Sequence, residues 1–253
     1  MRTAELRRSG RHHPCSPCRD PRGATLGLLL AGVAIIANMP TSALAVDLPP
    51  GFVRLADIAP GIRQDMRYAG SHNFVGRPVA GYESPVCWLR REVAQALAAT
   101  ARDLEKRHWR LVVYDCYRPK RAVADFLTWA GDAADQHTKA EFYPRTPKSR
   151  LFALGYVARA SSHSRGIAVD IGAEQVDAAG QVLPLDFGGG FDLFDEMSWT
   201  ASKAVPAQAA ANRKALVAAF AAHGLANYAR EWWHFSLPGA ARAPAFDVVI
   251  REP

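Results

Sequence analysis

The stretch that most restricts this chain is residues 161–170, Ser-Ser-His-Ser-Arg-Gly-Ile-Ala-Val-Asp, read together with residues 231–234, Glu-Trp-Trp-His. The first sets an imidazole, His163, ahead of a carboxylate, Asp170, with Gly166 between them. A glycine permits a tight turn, so a loop residue and a strand residue can converge. The second sets the carboxylate Glu231 ahead of the imidazole His234. Two imidazoles and one carboxylate are the ligand set of a catalytic zinc site that keeps one position open for water. A further carboxylate beside such a site, not itself a ligand, is a natural proton carrier. Each residue also has an ordinary reading. A lone histidine more often fills a buried hydrogen-bonding role, and Glu231 alone would be a surface residue, although Trp232 and Trp233 beside it argue for partial burial. Spacing by itself leaves both readings open.

The two ends of the chain differ in kind. Residues 1–23 are polar and arginine-rich, residues 24–39 are almost wholly apolar, and Ala43-Leu44-Ala45 follows. That order is a secretory signal peptide with cleavage after Ala45. The apolar run is short for a membrane span, which needs roughly 20 residues. Arg7-Arg8 hints at twin-arginine export, but Ser9 and Gly10 stand where apolar residues are expected, so a general secretory signal fits better. Arg2, Arg7, Arg8, Arg11, Arg19 and Arg22 against Glu5 and Asp20 give this segment +4 of the net +7. The remaining basic residues are scattered, without the stripe a nucleic-acid binder needs. Cys15 and Cys18 fall in the segment to be removed, and their spacing has no second pair to complete a structural zinc site. In the mature chain, 46–253, Cys87 and Cys116 could pair in an oxidising compartment or remain buried thiols.

Residues 53–58 and 62–68 read as short strands, and 69–82 as a glycine-rich loop. Residues 88–107 carry Leu89, Val93, Ala96, Leu97 and Leu104 on helical spacing. Residues 110–116 form a buried strand that ends at Tyr117-Arg118-Pro119, and a second helix starts after Pro119. Taken locally, Arg118 is a surface arginine at a strand end. Residues 131–160 are mostly polar, and a loop of that length is usually functional. Residues 167–171 alternate as a strand that sets Asp170 on the face opposite Ile167, Val169 and Ile171. A hairpin-like excursion over 172–190, a helix over 205–223 ending near Gly224, and strands at 232–237 and 246–250 complete the chain. Helices and strands alternate without the βαβ rhythm of a parallel sheet, so the expected class is α+β with a largely antiparallel sheet flanked by helices.

Carried by Ser161, His163, Gly166, Ala168 and Asp170, with Glu231, Trp233 and His234 downstream, the pattern closely resembles the zinc D-alanyl-D-alanine dipeptidases of the VanX type. Other stretches resemble that family in the same order. They are Met66-Arg67-Tyr68-Ala69 with Asn73-Phe74-x-Gly76, Asp115-x-Tyr117-Arg118-Pro119, Phe142-Tyr143-Pro144, Lys148-Ser149-Arg150-Leu151-Phe152 and Phe191-Asp192-x-Phe194. The metal motif alone is shared with related carboxypeptidases; the Tyr-Arg-Pro and Asn-Phe-x-Gly stretches narrow it to the dipeptidases.

The resemblance implies the zinc DD-peptidase/hedgehog-like fold and one Zn2+ held by His163, Asp170 and His234. It implies Glu231 as catalytic base and Arg118 as the charge that meets the oxyanion, reversing the local reading of that arginine. Ser161 and Asp192 would lie near the substrate, at its free ammonium. The substrate would be a small D,D-dipeptide. Two rivals stay open on sequence: a DD- or LD-carboxypeptidase of the same fold acting on longer wall peptides, and a zinc-containing binding protein without turnover. Intact Glu231 and Arg118 weigh against the second.

Overall fold

The computed structural model describes residues 48–252. The expected signal segment, 1–45, lies outside the described residues. In chain order the elements are β1 (Phe52–Arg54), α1 (Leu55–Ile58), β2 (Arg63–Gln64), β3 (Trp88–Arg90), α2 (Arg91–Glu105), β4 (Trp109–Asp115) and α3 (Lys120–Gly131). Then come α4 (Lys139–Phe142), β5 (Ala168–Val176), β6 (Val182–Pro184), α5 (Ala207–Ala222), β7 (Ala226–Tyr228) and β8 (Glu231–Ser236). The main sheet runs β2-β4-β5-β8-β7, with β6 pairing the far end of β5. Only β2–β4 is parallel; every other pairing in it is antiparallel. The α+β class and the antiparallel bias therefore stand.

Amphipathic helices cover the sheet. α2 buries Val93, Ala94, Leu97, Ala101 and Leu104, one stripe at helical spacing, against β4 and α5. α5 follows Pro206 and ends at His223, with Gly224 at φ +78° just beyond, as a left-handed helix end requires.

Four expected elements differ, each because tertiary bonds override a local pattern. The expected helix over 88–107 begins only at Arg91. Trp88–Arg90 instead pairs antiparallel with β1, and Trp88 stacks on Tyr117. The expected strand at 53–58 stops at Arg54, because Ala59 N–H bonds back to Leu55 O and closes one helical turn. The strand expected over 62–68 shrinks to Arg63–Gln64, followed by a short 3-10 turn at Arg67–Ala69. Residues 246–250 form no strand beyond a single bridge from Ile250 to Tyr82. Their backbone N–H groups go elsewhere, Phe246 to Ser164 O and Val248 to the Tyr117 hydroxyl.

Cys87 and Cys116 are joined as a disulfide, with Cα atoms 5.4 Å apart. The bond ties the approach to β3 to the residue just after β4, close to the functional region.

Candidate active site

Strand register builds the site. Asp170 on β5 stands opposite Asp115 of β4 on one side and His234 of β8 on the other. The three therefore lie in one row across neighbouring strands. A bulge at Tyr114 shifts the β4 register between Val113 and Asp115 and brings Asp115 opposite Asp170; bulges commonly re-aim side chains beside sites. Gly172 makes room for this, since a Cβ there would meet the Tyr114 hydroxyl at 2.4 Å. Before β5, a 3-10 turn over His163–Arg165 ends at Gly166 with φ +69°. A Cβ at Gly166 would lie 2.3 Å from the Phe52 ring, so glycine is needed for space as well as for the left-handed turn.

These elements bring three donor atoms into a triangle. His163 Nε2 lies 3.1 Å from His234 Nδ1 and 3.3 Å from Asp170 Oδ1, and His234 Nδ1 lies 3.0 Å from Asp170 Oδ1. A tetrahedral ion with bonds of roughly 2.0–2.1 Å needs ligand atoms about 3.3 Å apart, close to these edges. The His163 tautomer suits the same purpose. Its Nδ1–H donates to the Cys116 carbonyl at 2.6 Å, which leaves the Nε2 lone pair facing the triangle. Burial alone would raise the Asp170 pKa, but His163 and His234 outweigh it and hold the carboxyl well below the usual range. Residues and chemistry alike fit a divalent metal.

Two charged groups flank the triangle. Glu231 Oε2 is 3.9 Å from His234 Nδ1, near the cluster yet outside it. Burial pushes its carboxyl up to about 7, against the pull of His234. Arg118 leaves the end of β4 and is 14 % exposed, so it is not the surface arginine of the local reading. Its Nε and Nη2 donate to Asp115 Oδ2 at 2.9 and 2.8 Å, and Nη2 lies 3.6 Å from Asp170 Oδ2. Asp115 also accepts from the Tyr82 hydroxyl at 2.6 Å. The guanidinium sits over the rings of Tyr68 and Phe126, 5.1 and 5.0 Å from their centroids. It is thus held on both sides, at a fixed place beside the cluster.

All seven residues singled out on sequence line one cavity of about 250 Å³. That is below the ~300–1,000 Å³ of ordinary ligand pockets, a size for a small molecule. Ser161 lies at its wall, with Oγ accepting from His163 N–H at 3.2 Å. Asp192, also lining it, is buried and accepts from the Tyr68 hydroxyl at 2.7 Å. Burial, then the charge of Asp170, pushes the Asp192 carboxyl well above its ordinary range. It has one hydrogen-bond partner and no cation bonded to it among the described residues.

Three contributors were not singled out. Asp115 and Tyr68 lay inside the quoted Asp-x-Tyr-Arg-Pro and Met-Arg-Tyr-Ala stretches, and an acid three positions before an arginine could have flagged the first. Ser162 places Oγ 3.4 Å from His234 Nε2 and had no signal beyond adjacency to His163. Of the polar stretch 131–160, only its end lines the cavity, at Gly155, Tyr156, Val157, Ala158 and Ala160.

A corner whose three donor atoms could hold a cation, with a carboxylate on one side and a fixed positive charge on the other, is equipped for metal-assisted hydrolysis, and the class that fold and site define is that of the metallopeptidases. The family model described as D-ala-D-ala dipeptidase matches residues 49–251, and the chain belongs to this M15 peptidase family. It is 37 % identical over 187 residues to the D-alanyl-D-alanine dipeptidase of Enterococcus faecium, covering 74 % of this chain and 91 % of that protein. It is 39 % identical over 186 residues to the D-alanyl-D-alanine dipeptidase of Streptomyces coelicolor, covering 74 % and 91 %. The enzyme of the same description from Escherichia coli is 32 % identical over 192 residues, 76 % of this chain and 87 % of the relative.

Proposed function

We propose that this protein is a zinc-dependent D-alanyl-D-alanine dipeptidase working outside the cytoplasm. The observation that carries the reading is the buried triangle of His163 Nε2, His234 Nδ1 and Asp170 Oδ1 with Glu231 beside it and not in it. Those three atoms would hold the metal. When bound, zinc would supply Lewis acidity, polarising the scissile carbonyl and making water a nucleophile near neutral pH.

The remaining chemistry belongs to the chain. Glu231 takes the proton of the attacking water and returns it to the leaving amine, a role suited to a carboxylate that stands beside the ligand triangle without joining it. Arg118 meets the negative charge that develops on the carbonyl oxygen. Its bonds to Asp115 hold it in position beforehand, so little reorganisation is needed in the transition state. Asp192 accepts the substrate's ammonium, the cation its buried carboxyl lacks, and Ser161 lines the same cavity beside the substrate.

The substrate reading rests on cavity size and on the relatives' described activity. The Cys87–Cys116 disulfide supports an oxidising compartment, in agreement with the signal expected over 1–45. An exported dipeptidase fits recovery of D-alanine from wall turnover better than removal of a cytoplasmic dipeptide. Purified protein given D-Ala-D-Ala and, separately, a murein pentapeptide decides the substrate. Zinc-restored activity on the dipeptide is expected; activity on the pentapeptide alone would make the enzyme a carboxypeptidase.

A further inference from the structure

Helix α5 carries a guanidinium that the site does not touch. Arg213 is 1 % exposed, and no carboxylate pairs with it among the described residues. Nε donates to Phe187 O and Nη1 to Trp199 O, each at 2.7 Å, while Nη2 is buried without a partner. Taking a charge out of water is costly unless it is well paired, and burial has brought this group down to about 10. An apolar side chain could fill the same helix face at no such cost, as Leu216 and Phe220 do.

The two carbonyls are the two ends of one segment, 187–199. The preceding residue, Asn212, adds a third bond at its base, from Nδ2 to Asp186 O at 2.8 Å. In the middle of that segment stands Asp192, at φ +60°. Such a backbone conformation in a non-glycine residue persists only where its surroundings over-determine it. One end of the segment also rests on β8, and the residue just past the other end is tied to the turn that leads into β8. The Phe187 ring stacks on Trp232 with centroids 4.3 Å apart, and Thr200 N–H bonds to Ala229 O at 2.9 Å. Arg213 thus bonds to the Asp192 segment at its two ends, while Phe194, two residues past Asp192, is held separately by Phe142 O and the Thr146 hydroxyl.

We propose that Arg213 is a positioning residue for substrate binding: its guanidinium clamps the two ends of segment 187–199 and so sets where the Asp192 carboxylate meets the dipeptide ammonium. This rests on the reading of Asp192 given above. The planar fork of arginine reaches the two carbonyls from two separate nitrogens in fixed directions; a lysine has a single nitrogen to serve both.

The test uses the zinc-loaded enzyme and the variants Arg213→Met, Arg213→Lys, Asp192→Asn and Arg213→Met/Asp192→Asn, each checked for zinc content and circular dichroism. The readouts are kcat and KM for D-Ala-D-Ala. Arg213→Met should raise KM about tenfold with kcat within about twofold, because only ground-state and transition-state binding of the ammonium is lost together. Arg213→Lys should recover part of that KM. The double variant should be no worse than Asp192→Asn alone, because the clamp acts through that carboxylate. Normal KM in folded Arg213→Met beside a raised KM in Asp192→Asn would overturn the clamp and leave the ammonium reading intact. Unchanged KM in Asp192→Asn would overturn the ammonium reading, and the proposal with it. Multiplying effects in the double variant, or loss of native circular dichroism in both Arg213 variants, would make Arg213 a general brace of the fold and also overturn the proposal.

Discussion

Asp170 and Asp192 are buried carboxylates facing one cavity, yet they are held in opposite ways. Asp170 sits mid-sheet, fixed by pairing to β4 and β8, with two imidazoles bearing on it. Asp192 sits on an irregular segment with a positive φ, one tyrosine bond, and anchors that are mostly backbone carbonyls held from elsewhere. Their ionisation follows: Asp170 is held well below the ordinary carboxylate range and Asp192 is pushed well above it. A sheet gives sub-ångström convergence of several side chains at once, which a metal needs. A loop gives a single contact whose place depends on its supports, which is enough to grip one ammonium.

That contrast can be broken by experiment, starting at the sheet side. His163→Ala or His234→Ala should abolish zinc binding and turnover together, because two remaining ligands are too few for a catalytic site; metal content and activity are measured on the same sample. Retention of stoichiometric metal would mean the triangle is not the binding site. Arg118→Met should keep the metal and lower kcat by roughly 10²–10³-fold with little change in KM, the signature of a charge that acts mainly in the transition state. Asp115→Asn should cost about 3–5 kcal/mol in denaturant unfolding, since it removes the charge that a fully buried carboxylate sets against the largely buried Arg118. Part of the Arg118 effect should appear with it, as loss of kcat. Replacing Cys87 and Cys116 together by alanine should cost about 2–4 kcal/mol of stability for a link spanning 29 positions. Activity at 25 °C should persist, because the strand register that builds the cluster does not depend on the bond.

The same contrast explains what could be read from the sequence. His163, Asp170, Glu231 and His234 could be singled out from their spacing across a turn glycine and two strands, but only the family resemblance chose the metal reading over the ordinary one. β4 was legible as a β-rich apolar run, α3 from its amphipathic pattern after Pro119, and α5 from an alanine-rich stretch closed by Gly224. Trp88–Arg90 was not, since its residues continue the helical pattern of α2 and only the pairing with β1 makes them a strand. The burial of Arg118 became legible only through the family resemblance, because its partner Asp115 is brought into line by a bulge that no local pattern announces. Arg213 gave no signal: a buried arginine in an alanine-rich helix looks like a solvated one until the carbonyls of Phe187 and Trp199 are seen.

The central claim is that Glu231 stands beside the metal corner as a proton carrier, leaving the metal to His163, Asp170 and His234. Its most direct test is Glu231→Ala, with zinc content by elemental analysis and D-Ala-D-Ala turnover measured on one preparation. One zinc per chain with turnover abolished is the predicted result. Loss of zinc along with turnover would make Glu231 a ligand and contradict the account.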